Sequence, residues 1–226
     1  PATLTGFIQY CADNYPANRY ELILWDHGGG SISGYGYDEK NAKSGSMSLK
    51  GIDTALSNAG VTFDFVGFDA CLMGTLENGL TLAPYADYLI ASEETEPGIG
   101  WYYTNWLTKL SQNPSMSTLE IGKNIVDDFV AECARKCKGQ DTTLSVIDLA
   151  EFSNTVPSDL SEFSRSARIL ALSASLACNS LAWAVCICCT SCCRCQASSC
   201  CFTCNVGCKF FTVNFAVKQF CSARKD

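Results

Sequence analysis

Two apolar, β-rich runs constrain this chain more than anything else in it. Residues 20–25 end in Trp25 and run straight into Asp26-His27-Gly28-Gly29-Gly30. Residues 61–68 end in Phe68 and run into Asp69-Ala70-Cys71-Leu72-Met73. Short continuous apolar strands of this kind suit a parallel sheet covered on both faces. In open α/β sheets, ligands sit beyond the carboxyl ends of such strands. His27, the only histidine, and Cys71 are therefore expected in one crevice.

A chain of 226 residues is long enough for one α/β domain of ordinary size. The net charge of −7 is unevenly spread: residues 1–162 carry 22 Asp/Glu against 9 Lys/Arg, whereas residues 163–226 carry 7 Lys/Arg and only Asp226. An acidic body lacks the basic face that phosphate binding needs, which argues against nucleic acid as partner. Cysteine usage divides at nearly the same place. Cys11, Cys71, Cys133 and Cys137 are scattered, and the other 12 of 16 lie from Cys178 to Cys221. The sequence starts at Pro1 without a signal-peptide h-region and reads as a fragment or processed form.

In chain order, Thr3 is expected to cap a helix carrying Leu4, Phe7, Ile8 and Cys11, ended by a turn over residues 14–18. Residues 28–47 mix glycines and lysines with serines and tyrosines, without a period, and read as a long loop. Ser48 caps a helix through Leu49, Ile52, Ala55 and Leu56 that closes at Gly60. A helix over 73–82 follows the second strand, and residues 88–91 form a third. Helices are expected over 102–110 and 118–137, the latter with Ile121, Ile125, Phe129 and Cys133 on one face. Residues 142–149 read as a fourth strand, and Pro157 opens a last helix with Leu160 and Phe163. Strands alternating with helices give an α/β class and a parallel sheet with right-handed crossovers.

The two strand ends carry complementary chemistry. A thiol attacks a carbonyl well only as thiolate or beside a base, since free cysteine has a pKa near ~8.5. An imidazole within reach accepts that proton and later protonates the leaving amine. Backbone N–H groups in a glycine-rich turn stabilise the oxyanion of the tetrahedral intermediate, and Gly28 and Cys71 are placed to donate them. Other readings stand beside these. Cys71 alone would pass for a small core hydrophobe, and the three glycines for a phosphate cradle, though the helix-opening Gly-x-x-x-x-Gly-Lys pattern is missing. Asp69 could equally cap a helix or hold a backbone N–H. Trp101 and Trp106 read as packing residues before substrate contacts.

The segments Trp25-Asp26-His27-Gly28-Gly29-Gly30 and Phe68-Asp69-Ala70-Cys71-Leu72-Met73 resemble the His and Cys motifs of clostripain-type peptidases. Tyr88-Leu89-Ile90-Ala91-Ser92-Glu93-Glu94, with Pro97-Gly98 and Gly100-Trp101-Tyr102-Tyr103, is similar to the same family, and the likeness covers residues 4–149. The resemblance implies a caspase-like three-layer sandwich around a mostly parallel sheet, here incomplete. It implies a bacterial cysteine endopeptidase, secreted or at the cell surface, acting on peptide or protein substrates. His27 is then the base, Cys71 the nucleophile, and Gly28 and Cys71 the oxyanion donors. Family members cleave after Arg or Lys through acidic residues near the S1 pocket. Asp69 matches such a position, and Glu94 and Glu96 either line the pocket or form a solvated loop face. Relatives cut themselves between His and Cys, which makes Lys40 and Lys43 candidate cleavage points. No cofactor is expected, except Ca²⁺ on the strength of the resemblance.

The family pattern stops near residue 165. Between Phe163 and Lys225 there is no Asp or Glu, residues 169–193 carry no charge, and residues 186–208 hold 10 cysteines. The chain is thus expected to divide into a peptidase domain over 1–165 and a Cys-rich tail over 166–226. The tail has four readings: a bilayer span over 169–189, a thiophilic metal cluster, a disulfide framework, or a shifted reading frame or disordered end near Ser166. Joint loss of acidic residues and periodicity favours the last and disfavours a membrane role. Two rival functions remain: an inactive truncated domain that keeps the site residues, and a membrane- or metal-binding protein acting through its tail.

Overall fold

The computed structural model describes residues 1–190, with side chains as far as Ile169. Its centre is a four-stranded sheet of order β1-β2-β3-β4, formed by Glu21–Trp25, Phe63–Asp69, Ala86–Ala91 and Ser145–Asp148. The first three strands run parallel. The fourth is antiparallel to β3, with Ser145 opposite Ala91, so the sheet is mostly parallel, as the family resemblance implied. Two helices rather than one, α5 (Tyr103–Gln112) and α6 (Thr118–Lys136), separate β3 from β4. Together they return the chain to the end of the sheet it left, so β4 starts beside the end of β3.

Helices cover both faces, making three layers. Right-handed connections that advance in one direction keep their helices on one face. Accordingly α3 (Leu49–Ala59) and α4 (Leu76–Leu82) lie with Leu22, Leu24, Val66, Phe68 and Leu89 in one cluster. The opposite cluster joins Phe65 and Ile90 to Trp101, Trp106, Ile121, Ile125, Phe129 and Cys133. The expected face of α6 is therefore the buried one, and both tryptophans are core residues. Ser48 Oγ accepts from the Gly51 N–H at 3.1 Å, and Gly60 ends α3 at a φ of 67°.

Other boundaries differ from the sequence reading. The first helix, α1, spans Ala2–Asn14 without a side-chain cap. Thr3 does not cap it; a neighbouring hydroxyl, Thr5 Oγ1, donates to Ala55 O at 3.0 Å and ties α1 to α3. Only Ile8 on α1 is buried, and Phe7 is largely exposed. Residues 28–47 are less irregular than expected. They contain a single helical turn, α2 (Gly30–Ser33), a 3₁₀ segment over Glu39–Ser44, and β-bridges from Tyr35 to Gly28 and Met47.

Pro157 does not open a helix. It lies inside α7, Leu149–Thr190, which starts directly at the end of β4. Asp148 Oδ1 accepts from the N–H groups of Ala150 and Glu151, both at 3.0 Å, and so caps α7. That cap satisfies donors that a helix beginning at Pro157 would have left upstream. The chain divides into two compact units, Pro1–Pro157 and Ser158–Asp226. The first holds the sheet and both apolar clusters. In the second, the described part is helical, with Leu160, Phe163 and Ile169 exposed. The Cys-rich segment over 186–208 and the four readings of the tail fall outside the described side chains. Among the described residues, no helix is long and apolar enough to cross a membrane.

One glycine sets the spacing between sheet and helices on the α5–α6 side. A Cβ on Gly67, in the middle of β2, would stand 2.8 Å from the Trp101 ring. Gly67→Ala is therefore expected to push Trp101 outward and cost about 1–3 kcal/mol of stability, the usual range for overpacking. Urea denaturation of the two proteins measures it.

Candidate active site

The strand pairing itself assembles the site. Trp25 is the register partner of Asp69, so His27 and Cys71 each lie two residues beyond a paired position on adjacent strands. Both line one cavity of about 600 Å³, together with Trp25, Asp26, Asp69, Ala70, Glu96, Pro97, Gly98 and Gly100. Gly28 packs so closely on the turn after β2 that a Cβ there would overlap the Cys71 carbonyl oxygen. Neither the Gly28 nor the Cys71 amide is engaged in the hydrogen bonds of the surrounding turns. Cys71 lines the cavity itself, whereas Gly28 lines a separate pocket that shares His27 with it.

The turn that carries Cys71 is held from several directions. Helix α4 starts at Leu76 behind a Thr75 cap rather than at Met73, because residues 71–75 form a turn tied to the loop after β3. Leu72 N–H donates to Glu94 O at 2.9 Å, and Gly74 N–H to Ser92 O at 2.7 Å. The buried Asn78 Nδ2 donates to Met73 O at 2.8 Å. Leu72 adopts a φ of 63°, left-handed for a residue with a Cβ. The Cys71 thiol itself accepts from the Glu96 N–H at 3.3 Å.

The histidine is held less tightly. Its backbone N–H and that of Tyr37 donate to Asp26 Oδ1, and its carbonyl accepts from Gly36 N–H at 2.8 Å. The imidazole Nε2 is 3.0 Å from Glu39 Oε1, with both side chains about two-thirds exposed. Sequence reasoning did not find this contact. Glu39 lies inside the 28–47 loop, next to Lys40, and nothing in its spacing singles it out. Lys40 and Lys43 sit on the exposed 3₁₀ segment, whose start is capped by Asp38.

Comparison with known proteins places this arrangement. The profile of the Clostripain family matches residues 1–180. The chain belongs to the clostripain family. It is 33% identical to clostripain of Hathewaya histolytica over 46% of this chain and 23% of that one. Among solved structures it is similar to a secreted C11 cysteine protease of Bacteroides thetaiotaomicron bound to an irreversible peptide inhibitor. That match has 28% identity and a TM-score of 0.57, covering 68% of this chain and 46% of the other. It is also similar to an inactive zymogen C11 protease of Parabacteroides distasonis, with 26% identity, a TM-score of 0.53, and 68% and 40% coverage. The chain thus spans less than half the length of these relatives. The caspase-like α/β fold expected from the motifs is the one the family has.

In this clostripain-family chain the cavity floor is acidic. Asp69 is 3% exposed and is held by the Trp101 N–H at 3.1 and 3.2 Å and by Tyr103 Oη–H at 2.9 Å. Burial raises its pKa, and those donors only partly offset the shift. Gly100 approaches so closely that a Cβ would stand 3.0 Å from Asp69 Oδ1. Tyr103 and the Trp101 amide were missed at the sequence level, although their segment carried part of the family likeness.

Glu96 is the second acid of the floor. Its two carboxyl oxygens are buried without a hydrogen bond of standard geometry, as is Trp101 Nε1. Burial, and then the Asp69 charge, push its pKa up to about 8, while the Trp101 indole acts weakly the other way. Glu94, expected on the same footing, is not part of this cavity. Its backbone is fixed by Leu72, Ser92 and Thr143. Its exposed side chain lines a separate pocket with Gln140, Asp141, Thr142 and Thr143. Among the described residues, no group of three or more His, Cys, Asp or Glu could hold a metal ion.

A carboxyl whose folded pKa lies above its unfolded value favours the fold while protonated. For Glu96 that contribution is complete below about 4.5 and is lost as the pH rises toward about 8. Stability should fall across this window by on the order of 1 kcal/mol per pH unit. Glu96→Gln should flatten the fall, leaving the same-signed part from Asp69. Urea midpoints of both proteins at pH 5, 6.5 and 8 test this.

Proposed function

We propose that the chain is the core of a cysteine endopeptidase acting after basic residues. One observation carries the reading: His27, Cys71 and the buried Asp69 line the same cavity at the ends of two paired strands. In the proposed reaction Cys71 Sγ attacks the scissile carbonyl carbon while its proton passes to the His27 imidazole. The Gly28 and Cys71 N–H groups receive the oxyanion. His27 then protonates the leaving amine, and water, activated by the same imidazole, hydrolyses the thioester. Asp69 gives the S1 floor a negative character suited to the forked guanidinium of Arg, and less well to Lys, and Glu96 beside it is the group a bound cation would help to ionise. Secretion, as stated for the Bacteroides relative, extends this reading to peptides outside the cell.

The 28–47 loop supports a latent form within the same reading. Glu39 occupies the His27 Nε2, and an imidazole so engaged is not free to turn toward the thiol through that nitrogen. Cutting after Lys40 or Lys43 would detach Glu39's segment from one of its two anchors. The Parabacteroides relative is an inactive zymogen, which supports a latent form here.

Cys71→Ser and His27→Ala are each expected to lower hydrolysis of an arginyl reporter peptide by roughly 100-fold or more. Folding, followed by circular dichroism, should be unchanged, and wild-type turnover in either variant would overturn the assignment. Asp69→Asn should narrow the preference for Arg over a neutral residue at P1. On incubation, purified protein should release an amino-terminal fragment ending at Lys40 or Lys43, detected by mass spectrometry and absent from Cys71→Ala. Equal cutting of both proteins would exclude self-processing.

A further inference from the structure

Among the residues that line the cavity with Glu96, Pro97 and Gly98 is a tryptophan, Trp25, that takes no part in either apolar cluster. Trp25 closes β1 and is 76% exposed, whereas Leu22 and Leu24 of the same strand are buried and Trp101 and Trp106 are each 4% exposed. An indole has much apolar area to gain from burial, so leaving one in solvent beside a cavity is informative. Trp25 is the register partner of Asp69 on β2. Partners on adjacent parallel strands project from the same face of the sheet, so the indole leaves the sheet on the side where the Asp69 carboxylate lies. Gly98 lines the same cavity, and a Cβ there would meet nothing within 4 Å, so the cavity of about 600 Å³ is open beside it.

We propose that Trp25 is a specificity-determining residue whose indole forms the wall along which a substrate guanidinium lies as it reaches Asp69. This rests on the basic-residue reading above and adds to it a second kind of recognition. A carboxylate at the floor supplies charge; an aromatic face at the side selects a flat, delocalised cation, because the ring quadrupole attracts it and its weak hydration is readily given up. The buried Trp101 and Trp106 cannot play this part. Trp101 Nε1 and Trp106 Nε1 are both enclosed, and their rings are packed with Tyr103.

The test uses the full chain with Cys71→Ala, so that binding is read without turnover. Nα-acetyl-arginine methylamide and its neutral citrulline counterpart are titrated by calorimetry. The parent is expected to bind the arginine compound more tightly. Adding Trp25→Ala should weaken arginine binding roughly 3–30-fold, the range for a cation over an indole. It should leave citrulline binding less changed, and Trp25→Phe should restore most of the loss. A purely structural role would lower both ligands alike and leave their ratio intact, which overturns the proposal. Unchanged arginine affinity in Trp25→Ala, with binding lost in Asp69→Asn, overturns the Trp25 role alone. Equal binding of the two compounds by the parent overturns the basic-residue reading as well.

Discussion

The pairing of β1 with β2 is the constraint on which the rest of the site depends. Parallel strands place their carboxyl ends side by side, and the register Trp25 opposite Asp69 fixes which residues overrun the sheet together. A shift by one residue would turn Asp69 to the α3–α4 face and bury the wrong side chains. The apolar clusters therefore specify the chemistry indirectly. Phe65 and Phe68, on opposite faces of β2, lock the alternation that delivers Asp69 to one side.

The second tie runs from the site to the α5–α6 layer. Asp69 is a buried carboxylate, and such a group persists only where donors meet it. Here the donors are the Trp101 amide and the Tyr103 hydroxyl, on the segment that leads into α5. The floor of the cavity is thus part of the packing between sheet and helices. Glu96 has no such support, and its neighbour's charge makes a second negative group costly. The pair behaves as a site holding one charge more comfortably than two, which is the arrangement an incoming cation can most easily alter.

Most of this was legible where the information is local. The Ser48 cap and Gly60 terminus of α3, the apolar stripe of α6, and the two strands ending at His27 and Cys71 are all set by residues a few positions apart. The antiparallel β4 was not legible, because direction depends on how α5 and α6 return the chain. The start of α7 was misread since Pro157 is a strong helix-opening signal, whereas the operative cap, Asp148, sits at the end of a strand. Glu94 and Glu96 look equivalent in sequence. They differ because long-range backbone bonds, Leu72 and Thr143 among them, turn one outward and leave the other beneath the cavity. Glu39 and Tyr103 reach the site across 12 and 34 residues, and no periodicity reports contacts of that kind.

The left-handed backbone of Leu72 has a consequence for how this turn can be improved. A residue with a Cβ gives up about 1–2 kcal/mol in that region, and the Glu94 carbonyl and the packed Gly30 nearby hold it there. Glycine would relieve the strain, so a search for thermostable variants would be drawn to position 72. The relief would come with a looser hinge directly behind the thiol, since glycine also populates conformations that aim Cys71 elsewhere. Stability and aim are opposed at this residue, and a laboratory selection for heat resistance alone would erode the site from its most constrained point.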